Sequence, residues 1–515
     1  MFTITSVLRR FARHRVKTLN RTTSAALQAD QLRRLVSVTQ NTRFGRDHGF
    51  ADIRTVEDYQ TAVPLRDYDA FHAEYWSGDF PLLVNETWPG QIPLYATTSG
   101  TSGSAPKRIP VSKAMLKANR RAAIETVVWH LASRPDSKVF EGQTFTFGAS
   151  ATLDPLAQDV HEGYISGIIT ARMPWWLARR AYPPKDLAGI VDWDERISAI
   201  VQGSLSADVR TLGGMPSWLV VLLNDVLEAG NAGTLKEIWP NLSLLIYGGI
   251  PFEPYRPTFN RWLEDLDVDE REIYMASEGF LGTSDLTPAD GIRLNLDTGF
   301  FFEFVPVEDI GSDSPHRFWA GNVETDVDYA IVLTTCAGLW SYVIGDVVRL
   351  PSADPLRVHI HGRVDQGLSA FGEHVMAREL DLAIAEAAKA INTAVHDYTV
   401  AAVHDTGGTM GHHVYFVETE HPLPDPQRKT FAKTLDSALQ RINNRYSLRR
   451  NSVRGVGAPE FVFAESGSFN AWMKAKDKLG GQHKVPRILS DNVISTELRT
   501  WLERETSTPQ GTPQG

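Results

Sequence analysis

Thr98-Ser99-Gly100-Thr101-Ser102-Gly103-Ser104-Ala105-Pro106-Lys107 is the stretch around which this chain is organised. Eight of its ten residues are Ser, Thr, Gly or Ala, so the segment has little apolar surface to bury. Its two glycines permit the backbone angles with which a loop curls around an anion, and its N–H groups, hydroxyls and lysine suit such a ligand. The composition is also typical of a surface linker. The apolar segments on either side, Ile92–Ala96 and Ile109–Val111, favour a phosphate-binding loop that joins two strands.

Composition limits the class of protein. With 515 residues, the chain has room for two or more domains. Its formal net charge of −10 argues against a general nucleic-acid-binding protein, which would be basic. The only cysteine, Cys336, excludes an intrachain disulfide and a multi-cysteine zinc site, and it is compatible with the cytoplasm, where we expect the protein. No apolar run reaches the roughly 20 residues that span a bilayer, so we expect no integral membrane segment.

The first 29 residues contain no Asp or Glu but are rich in cations. Such a segment is typical of a targeting peptide, of a membrane-surface helix or of a basic helix in solvent. It lacks the apolar core of a secretory signal, and we favour the solvated helix. The cations are Arg9, Arg10, Arg13, Arg15, Lys17 and Arg21.

Short apolar strands alternate with helical segments between residues 140 and 300. This alternation predicts an α/β architecture, in which binding residues collect at the carboxyl ends of strands. Gly248 and Gly249 follow one predicted strand, and Ser277 and Glu278 follow the next. A helix is predicted after the Ser/Gly loop, with Ser112 as its N-cap. The other predicted elements are strands at 144–147, 244–247, 272–275, 299–306 and 329–335 and helices at 31–41 and 217–227, with a break at 41–50.

A polar segment near residue 362 marks a predicted domain boundary. We predict a large N-terminal domain with β-sheets flanked by helices over 1–362, a smaller α+β domain over 363–505, and a disordered tail over 506–515. The elements predicted for the smaller domain are helices at 377–391 and 427–446 and strands at 398–403 and 413–418.

Four further segments carry polar groups where a core strand would not need them. Tyr274–Glu278 places an aromatic ring, which can stack on a base, before a carboxylate that can hold hydrated Mg²⁺ on phosphates. Tyr342–Asp346 ends in a carboxylate that can accept hydrogen bonds from ribose hydroxyls. Gly362–Asp365 is a polar turn, and Gly481–Arg487 presents a lysine on a glycine-containing loop. Each segment taken alone is more typical of a solvated turn or strand end.

Taken together and in this order, the five segments resemble the adenylate-forming superfamily. Within it, the chain resembles the Gretchen-Hagen-type, auxin-responsive acyl-acid-amido synthetases, over roughly residues 30–490. The resemblance implies a large N-terminal α/β adenylate-forming domain that binds ATP and the acyl substrate, and a smaller C-terminal lid domain. The matching stretches are Thr98–Lys107, Tyr274–Gly279, Gly299–Pro306, Leu333–Val348 and Gly481–Arg487.

The resemblance also implies a ligase reaction in two steps. A small carboxylic acid attacks the α-phosphate of ATP in the presence of Mg²⁺, which gives an acyl-adenylate and pyrophosphate. An amine, typically that of an amino acid, then displaces AMP and forms an amide. Two alternatives stay open at this point: an adenylating enzyme whose acceptor is a thiol or a protein side chain, and a nucleotide-binding protein without catalysis.

The resemblance assigns the nucleotide contacts by matching position. Lys484 would reach from the lid toward the α-phosphate and the carboxylate, and Lys107 would act with it in catalysis. Glu278 would hold Mg²⁺, and Asp346 would bind the ribose. The remaining expected contacts are Ser99, Gly100, Thr101, Ser102, Gly103 and Lys107 around the phosphates, Gly248, Gly249 and Tyr274 around the adenine, and Ser277 beside the adenylate.

The expected hinge of the lid lies at Arg363 and Asp365, and Arg363 also belongs to the expected nucleotide contacts. The chain departs from the pattern of the family and superfamily that it resembles just after the hinge, where Gln366 and Ser369 stand at positions that often hold lysine there. Trp218 is a candidate for the wall of the acyl pocket, although a core tryptophan is an equally good interpretation.

Overall fold

The computed structural model describes residues 4–98, 106–148, 152–173, 175–184, 187, 190, 193–364, 368, 371, 373, 375–403, 411–451, 456–476, 485–489 and 492–507. Helices in these ranges are α1 (Ile4–Leu19), α2 (Ser24–Thr39), α3 (Arg43–Asp47), α4 (Val56–Ala62), α5 (Tyr68–Phe71), α6 (Lys113–Ser133), α7 (Ile165–Ala171), α8 (Trp175–Ala178), α9 (Trp193–Ser204), α10 (Pro216–Ala229), α11 (Leu235–Ile238), α12 (Arg256–Trp262), α13 (Ala377–Ala390), α14 (Asp425–Ile442), α15 (Asn444–Arg450), α16 (Ser468–Ala475) and α17 (Asn492–Ser507). None of these helices combines the length and the apolar character that crossing a membrane requires.

The strands in the same ranges are β1 (Leu94–Thr97), β2 (Arg108–Val111), β3 (Gln143–Phe147), β4 (Asp154–Ala157), β5 (Val160–Gly163), β6 (Ala181–Tyr182), β7 (Val209–Gly214), β8 (Leu244–Gly248), β9 (Asp269–Ala276), β10 (Gly279–Thr283), β11 (Ile292–Leu294), β12 (Phe300–Pro306), β13 (Phe318–Trp319), β14 (Asp328–Thr335), β15 (Tyr342–Ala353), β16 (Leu356–Arg363), β17 (Val395–Val403), β18 (His412–Thr419), β19 (Glu460–Ala464) and β20 (Ile488–Leu489). Short 3₁₀ turns lie at Val139–Glu141, Glu253–Tyr255 and Pro288–Asp290, and a π-helical turn lies at His72–Trp76.

The chain forms two compact units. The first contains Met1–Ile250 and Trp262–Ile360, and the second contains Pro251–Arg261 and His361–Gly515. The second unit therefore includes a piece of chain that lies well before residue 362. The division into functional domains at that residue stays a prediction.

A mixed sheet organises the first unit. Over the described residues its strand order is β13-β12-β14-β15-β16-β11-β10-β9-β8-β7-β3-β6. Strands β6, β3, β7, β8 and β9 run parallel to their neighbours, and helices lie between them along the chain, whereas from β9 to β10 onward the pairing is antiparallel. The predicted α/β class and the strands predicted at 144–147, 244–247, 272–275, 299–306 and 329–335 are confirmed. Strand β8 was predictable because parallel strands are typically covered on both faces and are therefore continuous apolar runs.

A hairpin of β1 and β2 carries the Ser/Gly loop at its tip. Leu94 pairs with Val111, and the pairing continues to Thr98, whose N–H donates to the Lys107 carbonyl at 3.0 Å. The prediction that the loop joins two strands is confirmed. Helix α6 follows at once, and the Ser112 hydroxyl caps it by accepting from the Met115 N–H at 3.0 Å, as predicted.

The basic N-terminal helix is only partly solvated. Ala12 and Arg15 are buried in α1, and Ala12 shares an apolar cluster with Val128 of α6. Arg15 forms ion pairs with Glu125 at 2.5 Å and with Asp297 at 2.7 Å. The prediction of a solvated helix is therefore wrong for one face. Sequence periodicity could not reveal partners that lie far away along the chain.

Two boundaries differ from the predicted ones, each because of a side-chain cap. The break predicted at 41–50 contains helix α3, which begins where the Thr42 hydroxyl accepts from the Gly45 N–H at 3.0 Å. The single helix predicted at 427–446 is two helices. Asn443 separates them, since its side-chain oxygen accepts from the Tyr446 N–H at 2.8 Å and so begins α15.

The second unit is built on the sheet β19-β18-β17-β20, in the part of it that is described. Apolar side chains of β17 alternate between two clusters: Val400 packs with α13 and α14, and Ala401 packs with α16 and α17. The sheet thus has apolar packing on both faces.

A buried charge cluster lies at one edge of this sheet. Arg487, which precedes β20, pairs with Asp397 and lies 3.6 Å from Asp381, and its guanidinium stacks 4.5 Å from the centre of the Tyr398 ring. The Tyr255 hydroxyl lies 3.2 Å from the same guanidinium. Arg487 therefore ties the segment Pro251–Arg261 to the rest of the second unit.

Candidate active site

The carboxyl end of β8 is shaped by two glycines. Gly248 is in register with Ile273 of β9, and a Cβ at Gly248 would lie 2.3 Å from the Ile273 carbonyl oxygen. Gly249 has a φ of +85°, in the left-handed region that favours glycine. No larger residue fits at Gly248 without backbone movement, so the close approach of β8 and β9 requires a glycine here.

Tyr274 and Asp346 come together in the first unit. The Tyr274 hydroxyl donates to Asp346 Oδ2 at 2.6 Å, although 72 residues separate the two along the chain. Tyr274 directly follows Ile273, the register partner of Gly248, and it is 4% exposed. The predicted adenine and ribose contacts are thus neighbours in the structure.

A bulge in β15 presents Asp346. Ala330 of β14 pairs with Val347 and Val332 pairs with Val343, so residues 344–346 stand opposite a single residue of β14. Gly345 inside this bulge has a φ of +91°. The extra residues turn the backbone locally and leave the half-buried Asp346 side chain close to Tyr274.

Ser277 and Glu278 form the turn between β9 and β10. Ala276 pairs with Gly279 across this two-residue connection, and Glu278 is 7% exposed. The hairpin is fixed on α6, because the Phe280 N–H just after it donates to the Asn119 side-chain oxygen at 3.0 Å. The Glu278 carboxylate is therefore placed on a rigid turn rather than on a solvated strand end.

Asn119 is a residue that the sequence analysis did not single out. It is 1% exposed and lies on the inward face of α6. An asparagine among the apolar residues of a helix face is the signal that could have revealed it, since a buried amide needs a partner.

The base of the Ser/Gly loop is well defined. The Lys107 N–H donates to the Thr98 hydroxyl at 3.1 Å, and the exposed Lys107 ammonium lies 5.5 Å from the centre of the Tyr68 ring. The Tyr68 hydroxyl accepts from the Arg108 N–H at 3.1 Å, so this tyrosine supports the end of the loop. The predicted phosphate contacts Ser99, Gly100, Thr101, Ser102 and Gly103 lie outside the described residues.

The remaining predicted residues lie on other elements or outside the described residues. Trp218 is half-buried near the start of α10, with its ring centre 6.1 Å from that of Phe147 at the end of β3. Arg363 is half-buried at the end of β16 and belongs to the second unit. Asp365 and Lys484 lie outside the described residues, as do Gln366 and Ser369. The roles given to all these residues stay predictions.

Two further observations concern metal ligands and the cysteine thiol. The part of the chain that the structure describes holds no group of three or more His, Cys, Asp or Glu arranged to bind a metal ion. Burial raises the pKa of the Cys336 thiol to about 12, so Cys336 is a core thiol and a poor nucleophile.

Three models of one protein family match the chain. The GH3 family N-terminal domain matches residues 15–151, the GH3 family central domain matches 294–363, and the GH3 family C-terminal domain matches 378–493. The matches occur in the order of the family and together span well over half of the chain.

Curated relatives from the same family match a smaller part of the chain. The chain is 26% identical over 345 residues to the jasmonoyl–L-amino acid synthetase JAR4 of Nicotiana attenuata, which is 60% of this chain and 58% of the relative. It is 26% identical over 279 residues to the indole-3-acetic acid-amido synthetase GH3.4 of Arabidopsis thaliana, which is 50% of this chain and 46% of the relative. The chain thus spans about half the length of the curated relatives it matches.

Solved structures share the fold over nearly the whole chain. The AtGH3.15 acyl acid amido synthetase in complex with 2,4-DB has a TM-score of 0.78 at 18% identity, with 96% of each chain covered. A 2-hydroxyisobutyryl-CoA ligase in complex with 2-HIB-AMP has a TM-score of 0.62 at 14% identity, with 93% of this chain and 92% of that chain covered. Because the three domain models of the family match in order and together cover more than half of the chain, this chain belongs to the GH3 family.

Proposed function

We propose that this chain is an ATP-dependent acyl-acid-amido synthetase. It adenylates a small carboxylic acid and transfers the acyl group to an amine, typically that of an amino acid. The observation that carries the proposal is the 2.6 Å hydrogen bond between Tyr274 and Asp346 beside the glycine-lined end of β8, in a chain of the GH3 family. We also propose that the protein acts in the cytoplasm, and the only support for this location is that the chain contains a single cysteine.

The first half-reaction follows from the chemistry of a carboxylate. A carboxylate is a poor acyl donor because its leaving group would be oxide. One carboxylate oxygen attacks the α-phosphorus of ATP, the bond to the β-phosphate oxygen breaks, and pyrophosphate leaves with that electron pair. The protein binds the nucleotide and orients the two reactants, and positive charge from Lys107 offsets the negative charge of the phosphates. Tyr274 and Asp346 would fix the adenosine.

Magnesium fits this site only as a shared ion. Because the described residues hold no cluster of three ligands, Mg²⁺ would be bound by the Glu278 carboxylate together with ATP phosphates. Bound in this way, the ion would neutralise phosphate charge. The burial of Glu278 on a rigid hairpin suits a carboxylate that serves one fixed ligand position.

The second half-reaction forms the amide. The amine nitrogen attacks the acyl carbonyl carbon, AMP leaves with the electron pair of the acyl–oxygen bond, and the nitrogen loses a proton. No protein nucleophile takes part. The predicted roles of Lys484, Arg363 and Asp365 in closing the lid over this step belong to the proposal.

The test is acid-dependent exchange of radiolabelled pyrophosphate into ATP, with Mg²⁺ and a panel of aryl, indolyl and aliphatic carboxylic acids. We expect exchange in the presence of at least one acid of the panel and no exchange when acid is omitted. Amino acids, coenzyme A and a carrier-protein thiol are then offered to the same reaction, and the product is weighed by mass spectrometry. An acyl–amino acid product supports the proposal. A thioester or an acylated protein would show instead that the acceptor in the second half-reaction is a thiol or a protein side chain.

Two variants link the activity to the site. Lys107→Ala and Asp346→Asn are each expected to lower acid-dependent exchange more than tenfold. Arg33→Ala, on an exposed face of α2, is the control and should keep wild-type exchange. Exchange near wild type in both site variants would remove these residues from the mechanism. ATP binding without exchange for any acid would instead indicate a nucleotide-binding protein without catalysis.

A further inference from the structure

The outward face of helix α1 combines cations with exposed apolar side chains. Val7 and Phe11 lie one turn apart and are 58% and 47% exposed. Arg10, Arg13 and Lys17 are exposed on the same side of the helix. Residues at these spacings share one half of a helical surface, so the five side chains form one continuous face. We call it the α1 outer face.

Helix α6 holds this face in a fixed orientation, and the side chains of the face are exposed among the described residues of the first unit. The opposite side of α1 packs on α6 through Ala12, and the buried ion pair of Arg15 with Glu125 locks the helix against rotation. In the described part of the chain no carboxylate lies within ion-pair distance of Arg10, Arg13 or Lys17. The positive charge of the face is therefore available to an external partner.

The charge of this face contrasts with that of the whole chain. Residues 1–29 contain no Asp or Glu, whereas the full chain carries a formal net charge of −10. Such a concentration of cations attracts a polyanionic surface and orients the protein toward it. A nucleic-acid backbone would use the cations alone, and it offers nothing to Val7 and Phe11. A bilayer offers both anionic headgroups and an apolar layer beneath them.

We propose that the α1 outer face docks reversibly on the surface of a bilayer that contains anionic phospholipid. Arg10, Arg13 and Lys17 would lie among the headgroup phosphates, and Phe11 would reach the boundary of the acyl chains. Each basic residue near such a surface strengthens binding about fivefold. Three of them with one aromatic residue give peripheral binding that salt weakens. This inference is independent of the nucleotide site.

The experiment is sedimentation of the full-length protein with vesicles. One set contains phosphatidylcholine alone, and the other contains about one third phosphatidylserine, at low salt of about 50 mM and at high salt of about 300 mM. We expect binding to the anionic vesicles at low salt, at least a tenfold loss at high salt, and no binding to phosphatidylcholine alone. The protein is the same chain that is used for the exchange assay.

Two pairs of variants separate this face from general charge and apolar effects. Arg10→Glu with Lys17→Glu should lower vesicle binding more than tenfold. The control is Lys429→Glu with Lys433→Glu, which makes the same change in net charge at exposed positions of α14 and should bind as wild type. All four changes are at exposed side chains, and thermal unfolding checks that each variant is folded.

The apolar pair is tested in the same way. Phe11→Ser is expected to lower binding about threefold. Leu448→Ser, at a side chain that is 64% exposed in the second unit, should leave it unchanged. The proposal is overturned if the control variants lose as much binding as the α1 variants or if wild-type protein ignores anionic vesicles at low salt. Preference for single-stranded RNA over vesicles, or self-association that Phe11→Ser abolishes, would also overturn it.

Discussion

Replacing Tyr274 by phenylalanine isolates one hydroxyl in the candidate site. The substitution keeps the aromatic ring, which is expected to lie against the adenine, and removes only the donor to Asp346 Oδ2 at 2.6 Å. The Asp346 carboxylate is half-buried, so water replaces part of the lost hydrogen bond. The remaining loss of ATP-binding free energy is mainly the cost of ordering the Asp346 carboxylate, no longer held by Tyr274, when ATP binds; this cost is about 1 kcal/mol for one side chain. We therefore expect ATP to bind about fivefold more weakly.

The assay is a direct titration with ATP, supported by the KM for ATP in pyrophosphate exchange. Asp346→Ala is measured alone and together with Tyr274→Phe, because the hydroxyl should matter little once the side chain that accepts from it is gone. Tyr182→Phe is the control, since its hydroxyl also donates at 2.6 Å, to the Ile200 carbonyl oxygen at the far edge of the same sheet. Wild-type affinity in Tyr274→Phe, or effects that simply add in the double variant, would refute the reasoning.

Three further predictions concern stability and reactivity. Gly248→Ala should lower the free energy of unfolding by about 1–3 kcal/mol, because its Cβ would lie 2.3 Å from the Ile273 carbonyl oxygen; wild-type urea unfolding would contradict this. Cys336, whose pKa burial raises to about 12, should resist a thiol reagent at pH 8 in native protein and react in urea; rapid native labelling would contradict it. Burial alone would raise the pKa of Asp269, but the hydrogen bond with His130 helps to lower it below its ordinary value of 3.8. The ionised Asp269 carboxylate therefore stabilises the folded protein at neutral pH, and this stabilisation is lost as the pH falls below 3.8 and through the lowered pKa. Urea unfolding between pH 6 and pH 3 should therefore show a smaller loss of stability for Asp269→Asn than for wild type, and equal losses would count against this.

Elements that are determined by residues close together in the chain were predictable from the sequence. The strand at 244–247 is a continuous apolar run, and Ser112 is a capping residue directly before a helical pattern. The position of the Ser/Gly loop between two apolar segments likewise indicated that it joins two strands, which are β1 and β2. In each of these cases neighbouring residues determine the structure, so the pattern suffices.

Features that depend on distant partners were not predictable. The buried side of α1 depends on Glu125 and Asp297, which lie more than a hundred residues from Arg15. The sequence placed Tyr274 and Asp346 in one site only through a resemblance, because nothing in the chain between them shows that β15 bulges at Gly345. A register shift and an ion pair across the fold are properties of the packed chain.

The two segments of the second unit are synthesised at different times. The segment Pro251–Arg261 leaves the ribosome before any residue from His361 on, and at about 5–20 residues per second that interval lasts about 5–20 seconds. Throughout it Tyr255, which is 1% exposed in the finished protein, lacks Arg487 and the helix and strand on which its turn packs. A nascent chain of this protein therefore displays a transient apolar site to chaperones, and truncated chains that end near residue 360 would keep it permanently.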